Sequence, residues 1–110
     1  MLEFIEMIPF EKERDQYFSD DSYRKFQQHL ISDPRVGDVI EGTGGFRKIR
    51  WKDTNKNQGK SGGIRVIYYF IDEDGQIFLA KIINKSKVDN LSKKQKNDLK
   101  IIASFLDGGS

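Results

Sequence analysis

The chain has 110 residues and a mass of 12.8 kDa, a size typical of one domain. It has no cysteine, which excludes a disulfide scaffold, a thiolate metal site and a cysteine nucleophile. The net charge of +2 hides a division, because residues 1–45 carry a net charge of −5 and residues 46–100 a net charge of +8. A one-sided basic field attracts polyanions such as nucleic acids, although a solvated lysine-rich face has the same composition.

Targeting and cofactor signals are weak. No apolar run approaches the roughly 18 residues that a membrane span needs, and the acidic, alternating start at residues 1–6 is unlike a signal peptide. The single histidine, His29, excludes a His-rich metal site. We therefore expect a cytoplasmic protein that needs no membrane, metal or cofactor.

The first half of the chain predicts one strand and two helices. A short strand over residues 2–7 precedes a helix over about residues 9–18, whose opening proline needs no amide donor. The polar cluster at residues 19–22 suits the start of a second helix. Pro34 ends that helix, because the residue before a proline disfavours helical backbone angles.

The second half predicts three antiparallel strands and a final helix. A glycine-rich connection over residues 37–45 leads into strands at residues 46–52, 64–71 and 76–83, of which the second is apolar on both faces and therefore central. A polar hairpin loop over residues 53–63 and a tight turn at residues 72–75 join them. Ser92 and Gln95 form a predicted capping box for a helix over about residues 93–106.

The predicted element order is β-α-α-β-β-β-α. This order indicates an α+β fold, in which a small antiparallel sheet carries two N-terminal helices and one C-terminal helix. No linker interrupts the pattern, so we expect one domain over residues 1–107 and a disordered tail at residues 108–110.

Two stretches of the chain, residues 37–51 and 59–70, resemble the RelE/HigB toxins of bacterial type II toxin–antitoxin modules, and most closely the HigB branch. In this family an Arg-Lys-Ile-Arg strand, a short basic loop and a Gly-Gly-x-Arg-x-Ile-Tyr-Tyr strand follow in the order seen here. The resemblance covers about residues 3–103. It departs from the family pattern at residues 82–87, where Ile83, Asn84 and Lys87 replace the usual residue types.

The resemblance implies a RelE-like fold and a ribosome-dependent mRNA endonuclease, or mRNA interferase. Such a toxin inhibits translation by cutting mRNA in the ribosomal A site, and a cognate antitoxin protein holds it inactive. Its partners would be that antitoxin, the ribosome and mRNA. Lys48, Arg50 and Arg65 match the family's catalytic positions, and Lys85 lies where the family has another basic site residue.

The residues themselves point to cleavage chemistry that depends on cations. RNA carries its own nucleophile, the 2′-OH, but His29 is predicted to be a helix-surface or packing residue, and Asp53 and the acids at residues 72–74 to be solvated loop residues. Crowded cations lower a lysine pKa, so Lys48 is the candidate base or an electrostatic partner. Arg65 is the candidate clamp for the phosphorane, and Arg50 is a clamp or a positioner.

Further candidates would hold RNA without cutting it. Phosphate or ribosomal RNA contacts are predicted for Arg47, Lys52, Lys56 and Lys60. The rings of Phe46 and Tyr68 could stack on an unpaired base, with core packing as the alternative for both. Strand alternation places Trp51 with Ile49 in the core.

Two other functions fit the same fold. A non-catalytic RNA- or ribosome-binding module would block translation by occupancy, and an interaction protein would act only through its antitoxin-binding surface. The sequence also leaves two surfaces for the antitoxin. An acidic disordered segment suits the basic groove, whereas an antitoxin domain could dock on the acidic first half.

Overall fold

A computed structural model describes residues 2–52, 63–84 and 91–106, and these residues form five strands and three helices. The elements are β1 (Glu3–Glu6), α1 (Ile8–Tyr17), α2 (Asp20–Ser32), β2 (Asp38–Val39), β3 (Arg47–Trp51), β4 (Ile64–Ile71), β5 (Gln76–Asn84) and α3 (Lys93–Leu106). The predicted α+β class is confirmed. The predicted tail, the loop residues 53–62 and Lys85 lie outside the described residues.

The strands form one mixed sheet in the order β1-β5-β4-β3-β2. The pairs β3–β4 and β4–β5 are antiparallel as predicted, and β4 lies in the middle. The predicted antiparallel sheet is mixed at its edge, because β1 pairs in parallel with β5. The short strand β2, within the predicted glycine-rich connection, is a further element that was not predicted.

Local sequence sets the helix ends. The Ser19 hydroxyl accepts a hydrogen bond from the Ser22 amide at 3.1 Å and so caps α2, which ends just before Asp33 and Pro34. At α3, the Gln95 amide donates to the Ser92 hydroxyl, and the Ser92 amide donates to the Gln95 side-chain oxygen. The predicted capping box is therefore confirmed.

Each face of the sheet has its own core. On one side, which we name the α1/α2 face, Phe10, Phe26 and Leu30 pack against Val66 and Leu79. On the other side, named the α3 face, a second cluster packs under α3 and includes Ile40, Phe46, Ile67, Tyr69 and Ala103. Strand β4 contributes to both cores, which explains why it is apolar on both sides.

A polar network joins the first three elements on the α1/α2 face. The Glu6 carboxylate accepts two hydrogen bonds from the Arg14 guanidinium, at 2.7 and 2.9 Å, and a third from the Tyr23 hydroxyl at 2.6 Å. Its charge is thereby satisfied although the side chain is mostly buried. Within the described parts of the chain, no helix is long and apolar enough to cross a lipid bilayer.

Candidate active site

Strand β3 directs its residues alternately to the two faces, as predicted. Ile49 and Trp51 pack with the core of the α1/α2 face, and the alternation therefore directs Lys48 and Arg50 to the α3 face. Arg50 pairs directly with Arg65 of β4 across the antiparallel ladder. Of the four residues predicted to be catalytic, the three that the structure describes, Lys48, Arg50 and Arg65, therefore share one face on neighbouring strands.

Two adjoining cavities lie beside these cations. The larger, of about 280 Å³, is bordered by Lys48, Arg50 and Arg65 together with Asp38 of β2. The smaller, of about 50 Å³, opens toward α3, and Lys96 joins Lys48 and Arg65 around it. Because Lys48 and Arg65 line both cavities, they stand at the centre of a continuous concave surface.

Among the described residues, no carboxylate neutralises the charges of this centre. No carboxylate in residues 2–52, 63–84 or 91–106 lies within 4.0 Å of a side-chain nitrogen of Lys48, Arg50 or Arg65. The Nε atom of Arg65 is buried and has no hydrogen-bond partner among these residues. A buried donor without a partner costs about 1–3 kcal/mol, so an anion bound here would gain a preorganised contact.

Two polar residues of the site were not predicted from the sequence. Asp38 reaches the larger cavity because β2 pairs with β3 and sets Asp38 opposite Lys48. Lys96 reaches the smaller cavity because α3 packs over this part of the sheet. Both placements depend on tertiary pairing, and the only local signal was the excess of lysines at the start of α3.

The predicted base-stacking residues require a correction. Phe46 is fully buried in the core of the α3 face, where its ring centre lies 5.0 Å from that of Tyr69. Tyr68 is fully buried on the α1/α2 face, and its burial raises the pKa of its hydroxyl. Neither ring is available to a base, and the core-packing alternative is the correct one for both.

The Tyr68 hydroxyl has a structural role instead. It accepts a hydrogen bond from the Gly37 amide at 2.9 Å and donates one to the Pro34 carbonyl at 2.8 Å. It therefore ties the segment before β2 to the central strand. A Cβ atom at Gly37 would lie 2.8 Å from both the Tyr68 ring and the Lys48 carbonyl, so only glycine allows this close approach.

The other predicted RNA contacts fall at different places. Arg47 lies away from the three cations and donates to the carbonyls of Arg35 and Gly37, at 3.0 and 2.7 Å. Lys52 is exposed just after β3, whereas Lys56 and Lys60 lie outside the described residues. His29 is exposed on α2 with its ring 5.9 Å from that of Trp51, so of the two predicted alternatives, helix surface or packing, the surface position is the one observed.

Comparison with known proteins identifies the architecture. No family model matches the chain. The isolated E. coli RelE toxin superposes with a TM-score of 0.57 at 19% identity, covering 93% of this chain and 99% of RelE. RelE in the intact E. coli RelBE toxin–antitoxin complex superposes with the same TM-score and identity, over 76% of this chain and 96% of that one.

A third similar structure is an E. coli RelE mutant in complex with a peptide of the antitoxin RelBc. It has a TM-score of 0.53 and 17% identity, and the match covers 83% of this chain and 98% of the mutant. The resemblance that the two sequence stretches indicated is therefore confirmed at the level of architecture, while the HigB branch stays a prediction. The chain has the fold of the RelE toxin.

Proposed function

We propose that the protein is the toxin of a type II toxin–antitoxin module, of the HigB branch, and that it cuts mRNA on the ribosome. The observation that carries this proposal is the grouping of Lys48, Arg50 and Arg65 on one face without a neutralising carboxylate among the described residues. The RelE fold of the chain supports it further.

The chemistry follows from the charge that develops at phosphorus. When the 2′ oxygen of RNA attacks the adjacent phosphate, negative charge builds on the non-bridging oxygens of the phosphorane. Fixed cations in a partly water-excluded site stabilise that charge more than the ground state. Arg65, whose buried Nε faces no protein acceptor in the described chain, is the clamp for these oxygens.

Lys48 and Arg50 complete the phosphate site. Lys48 borders both cavities, and its side chain provides positive charge beside the scissile phosphate. Arg50 is exposed at the edge of the larger cavity and positions the neighbouring phosphate. Lys85 remains a further catalytic candidate, while Lys52, Lys56 and Lys60 would hold more distant phosphates and ribosomal RNA.

An antitoxin partner is part of the proposal. The similar E. coli RelE structures include complexes with its antitoxin, which supports a cognate antitoxin for this chain. A basic concave surface suits an acidic disordered segment that folds when it binds. Such a segment would cover the cations and block access of mRNA.

Induced expression followed by primer extension on a reporter mRNA tests the activity. We expect growth arrest and cuts that disappear when translation initiation on the reporter is blocked. Arg65→Ala should abolish the cuts, whereas the matched variant Arg24→Ala, on exposed α2, should leave them unchanged. Growth arrest with full-length mRNA would contradict cleavage and would instead support a module that blocks translation by occupancy.

A further inference from the structure

One carboxylate borders the larger cavity within the described chain, and it belongs to Asp38. Asp38 is opposite Lys48 in the β2–β3 ladder, so its side chain is directed to the same face as the three cations. It is exposed, and it forms no ion pair with another described residue. A substrate in the cavity can therefore reach it.

Hydrogen bonds to the amide and the carbonyl of Gly37 hold the backbone just before Asp38. The Gly37 amide donates to the Tyr68 hydroxyl, and the Gly37 carbonyl accepts from the Arg47 guanidinium. Gly37 also lies against the Lys48 carbonyl with no space for a side chain. These contacts fix the backbone of Asp38 relative to Lys48, which is the preorganisation that a reacting group requires.

A carboxylate at this place has an electrostatic cost for RNA binding, because it repels the phosphates that the cations attract. Its presence therefore calls for a role other than affinity. The three cations stabilise a phosphorane, but an arginine is a poor proton acceptor, and a lysine that serves as an electrostatic partner is already protonated. The cations therefore do not supply the group that takes the proton of the 2′-OH.

We propose that Asp38 is this general base, a proposal that rests on the nuclease function above. The Asp38 carboxylate takes the proton of the 2′-OH while the 2′ oxygen forms a bond to phosphorus. The bond between phosphorus and the 5′ oxygen breaks, and that oxygen takes a proton from the Lys48 ammonium. The products are a 2′,3′-cyclic phosphate and a 5′-hydroxyl end, and exchange with water restores both side chains.

The test separates cleavage from binding, because the two should change in opposite directions. For Asp38→Asn we expect single-turnover cleavage on programmed ribosomes to fall about 100-fold or more, the usual contribution of a general base. Affinity for an RNA with a 2′-deoxy residue at the cleavage position, which cannot react, should stay equal or increase. Asp38→Glu should recover part of the cleavage rate.

Glu41→Gln is the matched control. Glu41 is an exposed acid three residues further along the chain and does not line the larger cavity, so its cleavage rate should equal that of the wild type. Unchanged cleavage in Asp38→Asn overturns the proposal and leaves the nuclease function standing. A parallel loss of affinity and thermal stability would also overturn it by showing a structural role. Wild-type protein that leaves mRNA intact overturns both proposals.

Discussion

Arg50 and Arg65 lie directly opposite each other on β3 and β4, so their Cβ atoms are about 5 Å apart. Like charges in this position destabilise a sheet, and no described carboxylate lies within 4.0 Å to offset the repulsion. Among the described residues, this pair therefore carries an uncompensated repulsion, which we expect a bound phosphate to reduce. This repulsion allows a test in which stability and activity move in opposite directions.

Replacing Arg50 with glutamine should stabilise the protein and impair its function. We expect Arg50→Gln to raise the free energy of unfolding by about 0.5 kcal/mol, because one charge of the repelling pair is removed. Urea unfolding followed by the fluorescence of Trp51 measures this change, and the reporter assay should show weaker cleavage. Arg24→Gln, which breaks only an exposed ion pair on α2, should change neither quantity appreciably. A destabilised Arg50→Gln would contradict the repulsion argument.

Lys96 should contribute to RNA binding through phosphate. In Lys96→Gln we expect affinity for a short RNA to fall several-fold at low salt, and the slope of log affinity against log salt to decrease by about one. Fluorescence anisotropy over a salt series gives both values. Lys93 is the control, because it is exposed, lies one helical turn before Lys96 and lines neither cavity. Lys93→Gln removes the same charge and should lower the affinity and the salt slope less. Equal effects would show that Lys96 acts only through net charge.

The Tyr68 hydroxyl should link stability to activity. Tyr68→Phe leaves the Gly37 amide and the Pro34 carbonyl without their partner, which costs about 1–3 kcal/mol of the free energy of unfolding. Because these bonds hold the segment before β2, cleavage should fall as well.

Tyr23→Phe is the control, since it loses a 2.6 Å bond to Glu6 on the α1/α2 face and should lose comparable stability. When cleavage is measured at a temperature at which both variants remain folded, only Tyr68→Phe should show a lower cleavage rate. If Tyr23→Phe lost as much, activity would simply follow stability.

Stability should decline at alkaline pH because of the same two tyrosines. Burial, together with the hydrogen bond to Glu6, raises the pKa of Tyr23, and burial raises that of Tyr68. An unfolded tyrosine titrates near pH 10, so their contribution is complete below about pH 10 and is lost as the pH rises above it. Urea unfolding at about pH 8 and pH 11 should show this decrease, and Tyr23→Phe should show a smaller one. An equal decrease in that variant would contradict the assignment to Tyr23.

Local patterns in the sequence predict much of this fold. Alternation in β3 correctly predicts that Lys48 and Ile49 lie on opposite faces of the sheet. Capping residues predict where α2 and α3 begin. These features depend on contacts between residues close in the chain. The parallel pairing of β1 with β5 and the two-residue strand β2 depend on distant partners, and no local pattern reports them.

The site shows the same division between local and distant information. Alternation gives the face to which Phe46 and Lys48 point, but it does not say which part of that face α3 covers. Phe46 is fully buried under α3, so the prediction that it stacks on a base was wrong. Lys48 borders the cavities, and its catalytic role stays a prediction. Asp38 and Lys96 enter the site only through the packing of β2 and α3, which the sequence pattern does not contain.

The parallel pairing of β1 also bears on synthesis of the chain. Glu3 is bonded in register with Gln76, so the first strand has no partner until the last strand has left the ribosomal exit tunnel. Contacts this distant in sequence form late and slow the folding of a small domain. The nascent polypeptide therefore cannot complete its sheet until the strand Gln76–Asn84 has emerged from the ribosome.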